Sequence, residues 1–324
     1  MGTSTSATVF KGQDDLVDAY QGAGAPPRQY TDLRQLVTTE DSRDMTYRTL
    51  VVSLNAVDRA EALLDVATAM ARKNDAHLIG LYVIPALQVY PAVAMQITPE
   101  IIEAQRQYYQ EQAEKVKGLF DEAVRREGVL SEWREVDASG STIADVVIDH
   151  GRCADLVIAS QADEESEYLA DTELCERLLM ETGRPILFVP AYGEFKTFGT
   201  SVALAWSGAR ESARATFDAL PFLQAASNVH LLAVNPPENG DRAAVLAGSE
   251  IANTLARHGV KVETHHSAID EITVGDEVLA RISDFGVDLL VMGGYGHSRM
   301  REFVFGGVTR QVLQQMTVPV LMSH

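Results

Sequence analysis

The chain repeats its own pattern, and that repeat leaves few folds open. Thr49–Ala71 (TLVVSLNAVDRAEALLDVATAMA) runs parallel to Ser201–Leu223 (SVALAWSGARESARATFDALPFL), each an apolar strand, a small polar turn and an amphipathic helix. Apolar strands follow in both copies, at His77–Pro85 and Val229–Pro237. ADLVIAS (Ala154–Ser160) then answers VDLLVMG (Val287–Gly293), and RPILFVP (Arg184–Pro190) answers VPVLMSH (Val318–His324). Asp155 and Asp288 stand 133 positions apart and Pro185 and Pro319 stand 134 apart, but Thr49 and Ser201 are separated by 152. The surplus lies in Pro99–Arg126, a helical pattern longer than its counterpart Asp241–His258. Helix three is short in both copies, with Ile143, Val146, Val147 and His150 on one face of the first and Val278, Ile282 and Phe285 on one face of the second.

Apolar strands alternating with helices require a parallel sheet covered on both faces. The expected fold is therefore α/β, two tandem doubly wound five-stranded parallel sheets, one over residues 46–191 and one over residues 201–324. Residues 192–200 read as a linker. Residues 1–45 are polar, with Gly22, Gly24, Pro26 and Pro27 close together and one turn of helical pattern at Asp32–Val37; they read as a disordered extension.

Apolar residues make up 46% of the 324, enough for large cores, yet no apolar run approaches the ~20 residues of a membrane span. No secretory h-region follows the first residues, and the two cysteines, Cys153 and Cys175, lack metal-ligand spacing. A cytoplasmic setting is expected. The formal net charge of −19 argues against nucleic acid or an anionic membrane as partner. The charge is uneven: residues 46–191 hold 25 acidic and 13 basic side chains, and residues 192–324 hold 14 and 10.

The less acidic half carries the chemistry. After Leu289–Met292 come Gly293, Gly294 and Gly296, then nine residues, then Gly306 and Gly307 ahead of a helical pattern. Glycines admit a bulky anion close to the backbone, and a helix N-terminus offers it free N–H groups. In a doubly wound sheet such a loop lies where ligands bind, beyond the strand ends at the switch in strand order. His297 and Arg299, inside the loop, are candidates for charge-assisted bonds to phosphate.

Met292-Gly-Gly-Tyr-Gly-His, the nine-residue gap, Gly306-Gly-Val-Thr and the closing Val318-Pro-Val-Leu resemble the universal stress protein family, over nearly all of residues 46–324 as a tandem pair. The resemblance implies an adenine nucleotide alpha hydrolase-like fold with strand order 3-2-1-4-5 and ATP across strands one and four. Gly293, Gly294, Gly296, Gly306, Gly307 and Val308 would meet ribose and phosphates, Trp206, Ser207 and Val234 would line the adenine side, and Met292 would pack beside the nucleotide. It also implies edge-to-edge pairing of the two last strands within the chain, a possible homodimer, and a regulator or adaptor of a stress response. Two positions depart from the family pattern. Gly307 replaces a Ser/Thr, so a hydroxyl for phosphate or for Mg²⁺ or Mn²⁺ is missing unless Thr309 supplies it. Ser207 stands where an Asp is common.

In the first half Ser160-Gln-Ala-Asp-Glu-Glu-Ser-Glu-Tyr follows strand four without a glycine, and Asp163, Glu164, Glu165 and Glu167 would repel phosphates. This copy is expected to keep the fold without the site. Ser207-Gly-Ala-Arg-Glu-Ser212 faintly resembles the S-G-G-x-D-S loop of ATP pyrophosphatases but lacks two of its members; helix capping by Ser207 is the simpler account. The adjacent His265 and His266 point to opposite faces of a strand and cannot jointly hold a metal. Tyr108, Tyr109 and Phe120 are expected to pack inward or against a partner, and Glu100, Glu103, Glu111 and Glu114 to face water. No catalytic constellation and no metal site emerges. The expectation is nucleotide binding with at most slow hydrolysis. The alternatives are a nucleotide-free interaction or dimerisation protein with a decayed site, and, further off, an ATP-consuming enzyme.

Overall fold

A computed structural model describes residues 46–86, 98–138, 140–162, 170–234, 242–269, 271–295 and 307–324, with side chains at all of these except 170–172 and 242–247. The extension before residue 46 therefore lies outside the described residues, as do Asp163, Glu164, Glu165, Glu167, Gly296, His297, Arg299 and Gly306.

The first half runs β1 (Thr49–Ser53), α1 (Ala60–Asn74), β2 (His77–Ile84), α2 (Pro99–Glu127), β3 (Ser131–Asp137), α3 (Ile143–Gly151), β4 (Leu156–Ser160), α4 (Ala170–Glu181) and β5 (Ile186–Val189). The second runs β6 (Ser201–Ala205), α5 (Arg210–Asp218), α6 (Leu220–Ala225), β7 (Asn228–Val234), α7 (Arg242–Arg257), β8 (Val262–Ser267), α8 (Val274–Phe285), β9 (Leu289–Gly293), α9 (Val308–Gln315) and β10 (Val320–Ser323). Besides the longer α2, the described elements depart from strict repetition in the first helix of the second half. It breaks at Ala219 because Pro221, in the first turn of α6, has no amide to continue the ladder.

The strands form one ten-stranded sheet, in the order β3-β2-β1-β4-β5-β10-β9-β6-β7-β8. Within each half every pairing is parallel. β5 and β10 pair antiparallel, with Leu187 opposite Leu321, so two strand edges that would face water are paired instead. Alternate residues of the strands feed two cores. One face carries Leu50, Val52, Leu204 and Val291 against α1, α2, α5, α6 and α7. The other carries Val51, Val157, Leu290 and Met322 against α3, α4, α8 and α9. Strands buried on both faces read as continuous apolar runs, which is why β1, β4 and β9 were legible. The outer strand β3 (SEWREVD) is charged at alternate positions and only half covered, which blunts its open edge.

The stretch expected to be a linker packs rather than spans. Phe195 and Phe198 lie against the core, and the Phe198 ring stands 5.8 Å from Phe222. Each half also begins in the same way. Asp155, just before β4, accepts the amides of Arg48 and Thr49 at 2.8 and 2.9 Å, and Asp288, just before β9, accepts those of Thr200 and Ser201 at 2.9 and 3.0 Å.

α3 and α8 open on matching capping boxes, Thr142 with Asp145 and Thr273 with Asp276. The amide of Thr142 and the guanidinium of Arg177 hold the Asp145 carboxyl down at about 2, against 3.8 for a free side chain. A carboxylate whose folded pKa is depressed stabilises at pH above its unfolded value and loses that contribution as pH falls through the folded one. The stability difference between the native chain and Asp145→Asn, read as a melting-temperature gap, is thus expected to be constant above pH 4 and to close between about pH 4 and 2. A gap independent of pH over that range would contradict the assignment.

Candidate functional site

Strands β6 and β9 are neighbours at the point where strand order reverses in the second half, so their C-terminal ends frame the crevice where doubly wound sheets take ligands. Trp206 and Ser207 follow β6, Gly293 and Gly294 end β9, Val234 ends β7, and Gly307 caps α9. The structure brings these together, with a division that sequence did not show. Val234, Met292, Tyr295 and Val308 pack with the core on one face, whereas Trp206 packs with the core on the other.

The first two glycines serve packing. A Cβ on Gly293 would sit 2.4 Å from the carbonyl carbon of Glu211 and 2.4 Å from the amide nitrogen of Ser212, so β9 ends in direct backbone contact with α5. A Cβ on Gly294 would sit 2.3 Å from Cδ2 of Leu179, on α4 of the other half. The amides are also engaged. Gly294 donates to the Ser323 carbonyl at 2.9 Å and Tyr295 donates to the Thr309 hydroxyl at 3.0 Å. That second bond joins the two ends of segment 296–306, and it commits Thr309 within the protein. The Gly294 and Tyr295 amides are therefore already bonded within the protein, and both glycines answer a close-packing demand.

The C-terminal residue latches the same loop. His324 Nδ1 lies 3.0 Å from the Gly294 carbonyl and Nε2 lies 3.3 Å from an Arg210 nitrogen. With the Nδ1–H donating, Nε2 is free to accept from the guanidinium; the tautomer follows from the two partners. Arg210 also binds Glu211 through Nε. Burial pushes the Glu211 carboxyl up, but its bond to Arg210 and its own backbone outweigh that and leave it below the ordinary value. Its second oxygen is buried without a partner among the described residues, and so is the indole N–H of Trp206.

Ser207 does not cap α5. The cap position is Ala209, without a side-chain bond, and Ser207 Oγ accepts the Ala209 amide at 3.4 Å. Gly307 caps α9 with extended backbone (φ −63°, ψ 171°) and likewise no side-chain bond, so among the described residues no side chain caps the first turn of α9. Mg²⁺ or Mn²⁺ does not fit the described residues here: Thr309 and Ser207 oxygens accept amides, and Glu211 is paired and buried.

In the first half the equivalent crevice is bridged. Arg59 donates to Ser160 Oγ at 2.9 Å and to the Gln161 carbonyl at 2.6 Å, and Asn55 exchanges two hydrogen bonds with the Val83 backbone at the end of β2. Gln161 reaches the other half, donating to the Gln314 carbonyl at 2.9 Å. A groove of about 730 Å³ lies elsewhere, between α1 and α2, crossed at its rim by Arg126–Asp65 and Arg72–Glu127 ion pairs. On α2 Phe120 is buried as expected, while Tyr108 is exposed and stacks edge-on against Tyr109.

Sequence reasoning missed a side-chain cluster on the sheet. His265 and His266 do diverge, but His265 meets His230, 35 residues earlier, across the β7–β8 pairing. Only strand register could disclose that contact.

The model of the universal stress protein family matches residues 202–324. Among curated proteins, a universal stress protein of Synechocystis is 33% identical over 150 residues, covering 45% of this chain and 49% of its own length. One from Methanocaldococcus jannaschii is 36% identical over 55 residues, 16% of this chain and 34% of its own. The chain thus spans about half the length of the first of these relatives and a third of the second. Among solved structures, a universal stress protein from Archaeoglobus fulgidus aligns with TM-score 0.65 at 17% identity, covering 86% of this chain and 96% of that one. A protein of unknown function from Pseudomonas aeruginosa aligns with TM-score 0.52 at 14% identity, covering 86% and 92%. At such identities the likeness is one of fold.

Proposed function

We propose that the second half of this chain, whose residues 202–324 match the universal stress protein family, binds an adenine nucleotide, ATP or a close relative, at the ends of β6 and β9. The observation that carries the reading is the buried indole N–H of Trp206 at the end of β6, which has no partner among the described residues. Such a donor costs roughly 1–3 kcal/mol unless something accepts from it, and a base or ribose offers acceptors. The phosphates fall to the uncapped first turn of α9 at Gly307 and Val308, and to segment 296–306 with Gly296, His297, Arg299 and Gly306. They do not fall to Gly293, whose neighbour Glu211 is an anion. The first half, its crevice bridged by Arg59, is structural. Among the described residues no helix is long and apolar enough to cross a membrane. Binding, with an output in dimer or partner contacts, is the proposed role; among the described residues no side chain at the site stands as an evident general base.

A second reading has its own observation. The amides of Gly294 and Tyr295 are already paired and Gly294 abuts Leu179, so this end of the sheet could serve only to hold the halves together. Trp206→Phe separates the two. It removes the N–H along with part of the ring, so ATP affinity is expected to fall about tenfold or more, the worth of at least one hydrogen bond, while the free protein loses ring packing but is relieved of a buried donor and changes little in melting temperature. Equilibrium titration with ATP, together with identification of any nucleotide released on denaturing the purified protein, reads both. No titration and no released nucleotide would favour the packing-only site, and unchanged affinity in the variant would remove Trp206 from it.

A further inference from the structure

On the face of the sheet covered by α8, away from the strand ends just described, His230 of β7 and His265 and Glu263 of the outer strand β8 converge. His230 Nδ1 and His265 Nε2 are 3.1 Å apart, and Glu263 Oε2 lies 3.9 Å from the first and 4.0 Å from the second. Register explains the meeting. His230 pairs with Glu263, and His265 sits two residues further along β8 on the same face. The geometry points to a divalent transition-metal site in which His230, His265 and Glu263 are the protein ligands.

Three considerations support it. First, ligand atoms about 2.0–2.1 Å from a tetrahedral ion stand roughly 3.3 Å apart, so the imidazole pair is in place and the carboxylate needs only a small swing. Glu263 has that freedom, since its side chain is 70% exposed, while His230 and His265 are 14% and 30% exposed. Second, the imidazoles are held. The Phe285 ring stacks on His230 with centroids 4.8 Å apart at 19°, and lies 4.4 Å from His265 at 33°. Third, the nearby cation is compensated. Arg281, 5.9 Å from the Phe285 ring, is bonded to Glu277 at 2.8 Å and lies 3.6 Å from Asp284. Two nitrogens and one oxygen suit Zn²⁺, Co²⁺ or Ni²⁺ rather than Ca²⁺ or Mg²⁺, and three protein ligands leave a fourth position to water. A metal there ties edge strand β8 to β7.

The test uses the full chain, stripped with chelator and dialysed. Competition of Zn²⁺ with a chromophoric chelator is expected to give one site per chain at about 1 µM or tighter, and Co²⁺ to give the visible absorption of a four-coordinate ion. Affinity is expected to fall about 100-fold in His230→Ala and in His265→Ala, and about tenfold or more in Glu263→Gln, an exposed position where folding is not at issue. His266→Ala is the internal control. That ring leaves the opposite face of β8, near Gly248 of α7, so its loss is expected to change nothing. No site tighter than about 100 µM would overturn the proposal. So would Zn²⁺ binding that Glu263→Gln and His265→Ala leave intact, or that His266→Ala weakens equally.

Discussion

Gly293→Ala is expected to cost about 3 kcal/mol of stability, the upper end of what one added methyl costs in a packed interior. The reason is the nature of the obstacle. The new Cβ would stand 2.4 Å from two backbone atoms of α5, the carbonyl carbon of Glu211 and the amide nitrogen of Ser212. Backbone cannot rotate aside as a side chain does, so the first turn of α5 must lift from the end of β9. Gly294→Ala supplies the comparison. There the obstacle at 2.3 Å is a terminal methyl of Leu179, which can move, and a cost of about 1 kcal/mol is expected. Urea denaturation reads both, with the midpoint lowered and the slope unchanged. Leu179→Ala should relieve Gly294→Ala and leave Gly293→Ala untouched. Equal costs for the two glycine variants would mean that the β9–α5 backbone contact is not what requires glycine.

Phe222→Ala is expected to cost about 3–5 kcal/mol and to weaken both halves of the repeat together. Phe222 is buried on α6, in the second half, but its surroundings come from both. Tyr47, ahead of β1, lies 5.7 Å from its ring and donates its hydroxyl to the Asp218 carbonyl at 2.6 Å. Phe198 of the connecting stretch is 5.8 Å away, and the ammonium of Lys73, on α1, stands 6.0 Å above the ring. The chain has two tryptophans, Trp133 on β3 and Trp206 after β6, one reporter for each half. In Trp133→Phe and Trp206→Phe backgrounds, the unfolding transitions followed by the remaining indole are expected to coincide and to shift together on Phe222→Ala. A shift seen by Trp206 alone would show the halves to be energetically separate.

Much of this molecule was open to inspection in one dimension. Strands buried on both faces must be apolar along their whole length, so Leu50–Val52, Leu156–Ala159 and Leu289–Met292 announced themselves. The insertion that lengthens the first half appeared as helix α2, Pro99–Glu127, within a residue of its expected end. The site was less open. Glycine says that something approaches closely, but not what. At Gly293 it is a helix backbone and at Gly294 it is Leu179, where the sequence suggested a phosphate. A loop hydroxyl says that a bond can form, but not with whom. Thr309 takes the Tyr295 amide, and Ser207 takes the Ala209 amide without capping the helix. The Arg59 bridge across the first crevice, the His324 latch and the His230–His265 contact all join residues far apart in the chain, and no local pattern encodes such partners.

Sequence alone determined the repeat, the alternation of strand and helix, and hence the two parallel halves covered on both faces. Those follow from hydrophobic periodicity, which acts over a few residues and is written along the chain. The family resemblance implied that the last strands pair within the chain, but tertiary structure alone decided their antiparallel register, with Leu187 opposite Leu321, and which glycines pack. It also decided which side chains meet across neighbouring strands. Those depend on register and on the close approach of distant backbone, where an ångström determines whether a group faces protein or ligand.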